Sequence, residues 1–155
     1  EAFLYSMEMD TRKSTYEDLD ELDVVVMAGM GGRTIREVLQ QSAWKGTLIL
    51  QPNRDVPLLR QWLVDNGWYS DVESILFERG QYFWTSRWYT GQSGVSPIEI
   101  EFGVRTHIVS PLIFTEWFTK EYNRLKNLPS QAIDRKKLPL YEEMANRLSN
   151  LTNFG

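Results

Sequence analysis

Four residues at the end of an apolar run have types and spacing that could do chemistry. Residues 24–28 are apolar and lead directly into Gly29, Met30, Gly31 and Gly32. Glycine lacks a Cβ atom, so it adopts positive φ easily and lets a ligand approach the backbone closely. A helical pattern follows, and a helix that begins here directs free N–H groups towards the loop. The segment therefore predicts either a ligand site at a strand end or a tight strand-to-helix turn without a ligand.

A second polar strand end follows about twenty residues later. The apolar residues 47–50 lead into Gln51, Pro52 and Asn53. Amide side chains both donate and accept hydrogen bonds, which suits the edge of a nucleobase. The alternative is that Asn53 and Asp55 only begin the next helix. Open α/β sheets bind ligands at such strand ends, so both segments are candidates for one site.

Several other chemistries have little support in this sequence. The chain has no cysteine and a single histidine, His107, which argues against a transition-metal site and a catalytic triad. We therefore predict no metal site. The glycine loop lacks the lysine and hydroxyl residue of a Walker motif and the acidic partner of a dinucleotide fingerprint. Glu73 and Glu78 are poor candidates for a carboxylate pair. A phosphate-binding hydrolase is the least favoured alternative.

The apolar spacing predicts an α/β fold with the order β-α-β-α-β-β. Residues 22–28 and 47–50 are continuous apolar strands, typical of a parallel sheet covered on both faces. A helix after the glycine loop places Ile35, Val38 and Leu39 on one stripe. In the next helix Asp55 is the expected cap, Pro57 lies in the first turn and Asn66-Gly67 forms the stop. Its predicted buried stripe consists of Leu58, Leu59, Trp62 and Leu63.

Residues 68–77 and 81–89 predict a terminal antiparallel hairpin around residues 78–80. Tyr82, Phe83, Trp84, Trp88 and Tyr89 make this hairpin strongly aromatic. Such a stripe either packs into the core or stacks on a base. Together these elements predict a partial Rossmann-like mixed sheet, with parallel strands and a terminal antiparallel hairpin.

Beyond a linker at residues 91–97, the pattern changes to two amphipathic helices. Ser110-Pro111 is expected to open the first helix, and Pro139 to lie in the first turn of the second, which runs from about Leu140. The two apolar seams predict an α-helical hairpin tail; they are Phe114, Phe118, Tyr122, Leu125 and Tyr141, Met144, Leu148, Leu151. We predict a sheet unit at residues 1–104 and a helical, coiled-coil-like unit at residues 105–155.

The charge is unevenly distributed along the chain, although its net value is −4. Residues 1–104 carry 9 basic and 16 acidic side chains, whereas residues 105–155 carry 8 basic and 5 acidic ones. A basic segment of this kind either guides a polyanion or is a solvated helical face. No apolar run approaches the ~20 residues of a membrane span, so we expect no membrane partner.

Three segments together resemble one family of bacterial enzymes. They are Val-Met-Ala-Gly-Met-Gly-Gly at 26–32, Leu-Ile-Leu-Gln-Pro-Asn at 48–53 and Leu-Arg-Gln-Trp-Leu-Val-Asp-Asn-Gly-Trp at 59–68. Weaker matches follow in the expected order at 77–82, 101–103 and 111–117. The pattern is similar to that of the tRNA (adenine-22-N1) methyltransferases, over roughly residues 22–128.

The resemblance implies a Rossmann-like sheet with a helical tail, S-adenosylmethionine as cofactor and a tRNA adenine as methyl acceptor. Gly29, Met30, Gly31 and Gly32 would present the flipped or unpaired base, and Ala28 and Gly29 would contact the cofactor. Gln51 and Asn53 would bind the substrate base. The basic tail implies further tRNA contacts at Arg124, Lys126, Arg135, Lys136 and Lys137.

The resemblance also implies that a large part of such an enzyme lies upstream of this sequence. Related enzymes bind the cofactor mainly on a glycine-rich loop after their first strand, which has no counterpart here. We therefore expect a C-terminal portion of the enzyme, cytoplasmic, that methylates little by itself. An exposed sheet edge would permit a homodimer. The main alternative is a non-catalytic RNA-binding or assembly module.

Overall fold

The computed structural model describes residues 24–92 and 94–152, and it contains a four-stranded mixed sheet. The strands are β1 (Val24–Met30), β2 (Thr47–Pro52), β3 (Trp68–Glu78) and β4 (Gln81–Thr90), in the order β1-β2-β4-β3. β1 and β2 are parallel, whereas β4 is antiparallel to both β2 and β3. The predicted mixed sheet with a terminal antiparallel hairpin is confirmed. Residues 1–23 of the predicted sheet unit lie outside the described residues.

β1 continues through the first two residues of the glycine loop. Val26 lies opposite Ile49 and Ala28 opposite Gln51, and the register then shifts between Ala28 and Met30. Gly29 sits at this irregularity with φ 75°. The strand therefore ends two residues later than predicted, because a glycine with positive φ accommodates the bulge without ending the pairing.

Only one face of the sheet is covered by the described helices. Met27, Leu48, Leu50 and Trp88 are buried on that face, whereas Val24 and Val26 are 41% and 49% exposed on the other. The prediction that both faces are covered is wrong for the described residues, because the helices that follow β1 and β2 both pack against the same side. β1 has a pairing partner on one side only, so it forms an edge of the described sheet. The homodimer stays a prediction.

Helices α1 (Gly32–Gln41) and α2 (Val56–Asp65) form the first core with the sheet. Ile35, Val38 and Leu39 are buried, as predicted. The predicted stripe of α2 needs one correction, because Leu58 is 68% exposed and Arg60 is 3% exposed. Arg60 takes the inward position since a carboxylate on β3 neutralises it.

The hairpin between β3 and β4 has a two-residue turn, Arg79-Gly80, within the predicted connection. Glu78 pairs with Gln81, and both turn residues have positive φ, at 50° and 81°. This is the φ pattern of the type I′ turns that connect twisted strands. Trp84 and Trp88 are buried at 8% and 2% exposure, so these two aromatic residues belong to the core.

Two short helices, α3 (Pro97–Phe102) and α4 (Thr106–Val109), follow the hairpin. The predicted linker at 91–97 is wrong at its end, because Pro97 is already helical. Ser96 and Glu99 form a reciprocal capping box, which stabilises the start of α3.

The tail contains α5 (Pro111–Lys126), a 3₁₀ helix (Ile133–Lys137) and α6 (Leu138–Thr152). Tyr141 at the start of α6 stacks on Phe118, with ring centroids 5.4 Å apart, while Thr115 and Leu148 line one cavity. The two helices therefore run antiparallel, and the predicted helical hairpin is confirmed. Pro111 and Pro139 lie in first turns, as predicted. Leu151 is 55% exposed, so it is not part of the buried seam.

The second core joins the tail to the hairpin. Ile75 on β3 and Trp84 on β4 pack with Phe102, Phe114 and Tyr141. Ser110 does not cap α5 with its side chain; its Oγ instead accepts a hydrogen bond from the Ile75 N–H at 3.3 Å. The division at residues 104 and 105 and the coiled-coil character stay predictions.

Candidate active site

The glycine loop presents an accessible backbone at the carboxyl end of β1. Ala28 and Gly29 are both exposed. Gly29 has φ 75°, and no atom outside its immediate neighbours lies within 4 Å of the position that a Cβ atom would occupy. A flat ligand can therefore lie directly against this peptide. The positive φ makes glycine the favoured residue here.

Gln51 and Asn53 lie beside this peptide, as the parallel pairing of β1 with β2 requires. The Gly29 N–H donates to Gln51 Oε1 at 3.0 Å, and Gln51 Nε2 donates to Asn53 Oδ1 at 3.2 Å. The Asn53 N–H donates to the Met30 carbonyl at 2.9 Å. Since the backbone N–H fixes the orientation of the Gln51 amide, these bonds use the Asn53 oxygen and leave the Asn53 amide nitrogen available to a ligand. The structure thus brings together Gly29, Gln51 and Asn53.

Gly31 and Gly32 have different surroundings from Gly29. A Cβ atom on Gly32 would lie 2.9 Å from the Asp55 carbonyl oxygen and 3.1 Å from the Leu59 Cβ, so Gly32 permits close packing of α1 on α2. A Cβ atom on Gly31 would lie 2.9 Å from Arg54 Nε. The accessible part of the loop is therefore its beginning, at Ala28 and Gly29.

Asp55 occupies the predicted N-cap position of α2, but the prediction that its side chain caps the helix is wrong. Its side chain makes no capping hydrogen bond, and its backbone is left-handed with φ 59°. Asp55 instead lets the chain turn sharply, so that the Arg54 carbonyl accepts a hydrogen bond from the Gly32 N–H at 2.9 Å. α2 then begins at Val56, with Pro57 in its first turn as predicted.

A buried ion pair lies further along α2, away from the accessible loop. Arg60 Nε donates to Glu73 Oε2 at 2.8 Å, and Arg60 Nη1 donates to the carbonyls of Ile100 and Glu101 at 3.0 and 2.9 Å. Glu73 Oε1 accepts from the Val104 N–H at 3.1 Å. These bonds use Glu73 for structure, which agrees with its rejection as a member of a catalytic carboxylate pair.

Three of the five basic tail residues contact other parts of the chain. Arg124 pairs with Glu121 and Asp134, and the hydrogen bond to Glu121 raises the pKa of Arg124 above its ordinary value. Arg135 donates to the Leu128 carbonyl, and Lys137 pairs with Glu101 at 3.0 Å.

Two basic tail residues are exposed and form no ion pair among the described residues. Lys126 lies over the Tyr122 ring, with Nζ 4.4 Å from its centroid. Lys136 follows in the 3₁₀ helix. Lys126 and Lys136 therefore have more freedom to contact RNA than the other three.

His107 lines a small cavity of about 270 Å³ between α4, α5 and α6, far along the chain from the glycine loop. Burial, with a smaller contribution from Arg147, holds the pKa of His107 below its usual value. Its Nδ1 atom is buried without a hydrogen-bond partner.

In the described ranges no group of three His, Asp or Glu residues is placed to hold a metal ion.

Two features of the structure, the capping box of α3 and the position of Arg54, were not predicted from the sequence. The capping box had a visible signal, since Ser96 and Glu99 have the spacing S-x-x-E. The placement of Arg54 against Gly31 had no such signal, because it depends on the left-handed turn at Asp55.

Among the described elements, every helix is too short or too polar to cross a membrane.

Comparisons with known proteins show the family to which the chain belongs. A family model described as tRNA (adenine(22)-N(1))-methyltransferase, TrmK, matches residues 14–153. The chain belongs to this family. The resemblance noted in the sequence is confirmed. The comparison with curated protein sequences found no match.

Solved structures from two streptococci are similar to this TrmK-family chain. Sp1610 of Streptococcus pneumoniae, a candidate tRNA (m1A22) methyltransferase, is 32% identical, with a TM-score of 0.69 over 83% of this chain and 64% of that one. Its complex with S-adenosyl-L-methionine gives 34% identity and a TM-score of 0.70 over 83% and 62%. A protein of the NADB-Rossmann superfamily from Streptococcus agalactiae is 26% identical, with a TM-score of 0.67 over 83% and 62%.

These matches confirm the Rossmann-like fold class. The chain spans less than two thirds of the length of each of these structures.

Proposed function

We propose that this chain contributes the adenine-binding side of an enzyme that transfers a methyl group from S-adenosylmethionine to N1 of an adenine in tRNA. The observation that carries the proposal is the exposed Gly29 backbone, which nothing covers within 4 Å on its Cβ side. Membership of the TrmK family supports the reaction class, the cofactor and the substrate. Because the proposed substrate is bacterial tRNA, we place the reaction in the cytoplasm.

The proposed chemistry needs little from acidic or basic side chains. N1 of adenine has a lone pair that attacks the methyl carbon; an N–C bond forms, the S–C bond breaks and the adenine gains the positive charge. S-adenosylmethionine, when bound, supplies this activated methyl group. The protein contributes positioning and electrostatic stabilisation, which are large effects in group transfer. This agrees with a site built from backbone and amide groups.

The residues at the loop have separate proposed roles. Gly29, with Ala28, lets the purine or the methyl donor lie flat on the backbone. Gln51 fixes the Gly29 N–H by accepting its hydrogen bond, and Asn53 offers its amide nitrogen to the base. Met30, Gly31 and Gly32 complete the turn. Base pairing hides N1, so the adenine has to be unpaired or flipped out before it reaches the loop.

We further propose that the chain alone binds tRNA but transfers methyl groups slowly or not at all. The part of the chain that the structure describes has one glycine-rich strand end. The proposal assigns this strand end to the acceptor base, which leaves no second one for the cofactor in that part of the chain. The main contacts to the cofactor would come from another glycine-rich loop.

The test compares binding of two tRNA transcripts that differ only at nucleotide 22, which is adenine in one and guanine in the other. We call them the adenine transcript and the guanine transcript. Guanine differs from adenine in the polar groups of its base edge, and a polar contact left unpaired costs about 1–3 kcal/mol, so we expect the chain to bind the adenine transcript at least about fivefold more tightly. Equal affinities would favour the alternative, a non-catalytic RNA-binding module. A methyl-transfer assay with labelled cofactor runs in parallel, and rapid transfer by the chain alone would contradict its proposed inactivity.

A further inference from the structure

Arg54 lies against Gly31, and this contact explains the glycine at position 31. Gly31 has φ −71° and ψ 151°, a conformation that any residue adopts, so the backbone does not require glycine here. A Cβ atom on Gly31 would instead lie 2.9 Å from Arg54 Nε and 3.3 Å from Arg54 Cγ. The missing side chain at position 31 therefore makes room for the arginine.

Arg54 and Arg33 carry unpaired charges beside the glycine loop. Both side chains are exposed, and neither forms an ion pair or a side-chain hydrogen bond within residues 24–92 and 94–152. Asp55, the neighbour of Arg54, also forms no ion pair with it. Arg60, Arg87 and Arg124 each pair with a carboxylate at 2.6–2.8 Å, whereas Arg36 and Arg105, like Arg54 and Arg33, form no ion pair among the described residues.

The spacing of these residues suits one nucleotide. The Gly32 N–H donates to the Arg54 carbonyl at 2.9 Å, so residues 31–33 and 54 are adjacent. Gly31 is two residues from Gly29, and two extended residues span about 7 Å. That separation is comparable with the distance between a base and the phosphate of its own nucleotide. A guanidinium group also matches phosphate geometry through paired N–H donors.

We propose that Arg54, resting on Gly31 and assisted by Arg33, binds the tRNA phosphate beside the target adenine. The inference rests on the proposed function and deepens it. The same loop then holds the base at Gly29 and the backbone of that nucleotide at Arg54. In this placement, the phosphate contact nearest to the target base comes from the end of β2 and not from the basic tail.

The test is the salt dependence of tRNA binding to the chain, measured by filter binding. Each phosphate contact contributes about 0.7–0.9 to the slope of log K against log salt concentration. We expect Arg54→Gln to reduce the slope by that amount and Arg54→Lys to retain most of it. Lys45→Gln is the matched control, because Lys45 is exposed and its side chain is unpaired before β2, at the opposite end of that strand. It should leave the slope almost unchanged.

A second variant tests the contact between the two residues. Gly31→Ala displaces the Arg54 side chain without straining the backbone, so it should weaken binding in the native chain and have little further effect in Arg54→Gln. Such non-additivity identifies residues that act through one another. Equal losses in both backgrounds would contradict the proposed role of Gly31.

The outcomes separate this inference from the proposed function. A preference for the adenine transcript together with a full salt slope in Arg54→Gln would overturn the role of Arg54 and leave the proposed function intact. Equal binding of the adenine and guanine transcripts in every variant would contradict the proposed function itself.

Discussion

Arg60 and Glu73 form an ion pair inside the protein, with side chains only 3% and 1% exposed. The pair joins α2 to β3, and its remaining hydrogen bonds reach the backbone at Ile100, Glu101 and Val104. It therefore fixes the sheet unit to the segment that leads into the helical tail. Arg60 also lies over the Trp84 ring, 4.8 Å from its centroid, which connects the pair to the second core.

Breaking this pair should strongly destabilise the fold. Arg60→Leu leaves the Glu73 carboxylate buried without its partner, which typically costs about 3–5 kcal/mol. The double variant Arg60→Leu/Glu73→Leu removes both charges, so its loss should be clearly smaller than the sum of the two single losses. Urea unfolding of Arg60→Leu, Glu73→Leu and the double variant measures these losses of unfolding free energy. Additive losses, or single losses below about 1 kcal/mol, would contradict a coupled pair.

Gly103 should tolerate no side chain. It has φ 79°, and a Cβ atom there would collide with Thr106 Oγ1 and lie 2.9 Å from Glu73 Oε2. Gly103→Ala should therefore lower the free energy of unfolding by more than about 2 kcal/mol, through strain and overpacking together. Gly94→Ala is the control, since nothing lies within 4 Å of its Cβ position. Similar denaturation midpoints for the two variants would count against this packing.

The stability of the protein should fall as the pH drops from about 7.5 to about 5.5. Burial holds the pKa of His107 below 6.5, so the unfolded chain takes up the proton first and unfolding becomes easier on acidification. His107 is the single histidine of the sequence, and the shifted carboxylates titrate at lower pH. His107→Gln should flatten this part of the profile in urea unfolding. An equally steep profile in the variant would show that another group is responsible.

The five basic tail residues should divide into two classes. Lys126→Gln/Lys136→Gln should lower the salt slope of tRNA binding without changing the melting temperature, because neither lysine holds the fold together. Arg124→Gln should instead lower stability, by up to about 1 kcal/mol for a solvent-screened pair. Filter binding and thermal unfolding of both variants test the division. An unchanged salt slope in the double variant would exclude these two lysines from the RNA surface.

Much of the fold could be predicted from local signals in the sequence. Asn66-Gly67 ends α2 as expected because Gly67 supplies the positive φ of 79°. Pro111 and Pro139 mark helix starts because proline suits the first turn. The hairpin follows from two strand-forming segments around a short turn. These features depend on neighbours in the sequence, so no tertiary information was needed.

The sequence-based predictions are wrong where contacts between residues distant in the sequence determine the structure. Leu58 and Arg60 exchange their expected environments because Glu73, thirteen residues away from Arg60, supplies a buried partner. Asp55 fits a cap by type, yet the close approach of Arg54 to the glycine loop needs a left-handed turn at that position. At the candidate site, the sequence predicted the glycine loop and its amide neighbours, but the different surroundings of Gly29 and Gly31 depend on Arg54, which is distant in sequence.

The most direct test of the central claim compares two glycines that have nearly the same positive φ. Gly29 and Gly67 have φ values of 75° and 79°, and nothing lies within 4 Å of either Cβ position. Alanine at either position should cost similar stability, about 1 kcal/mol. The measurement is the ratio of the affinities for the adenine and guanine transcripts. We expect Gly29→Ala to abolish the preference for adenine and Gly67→Ala to retain it. A preference that survives in folded Gly29→Ala would contradict the proposal that the adenine lies against this backbone.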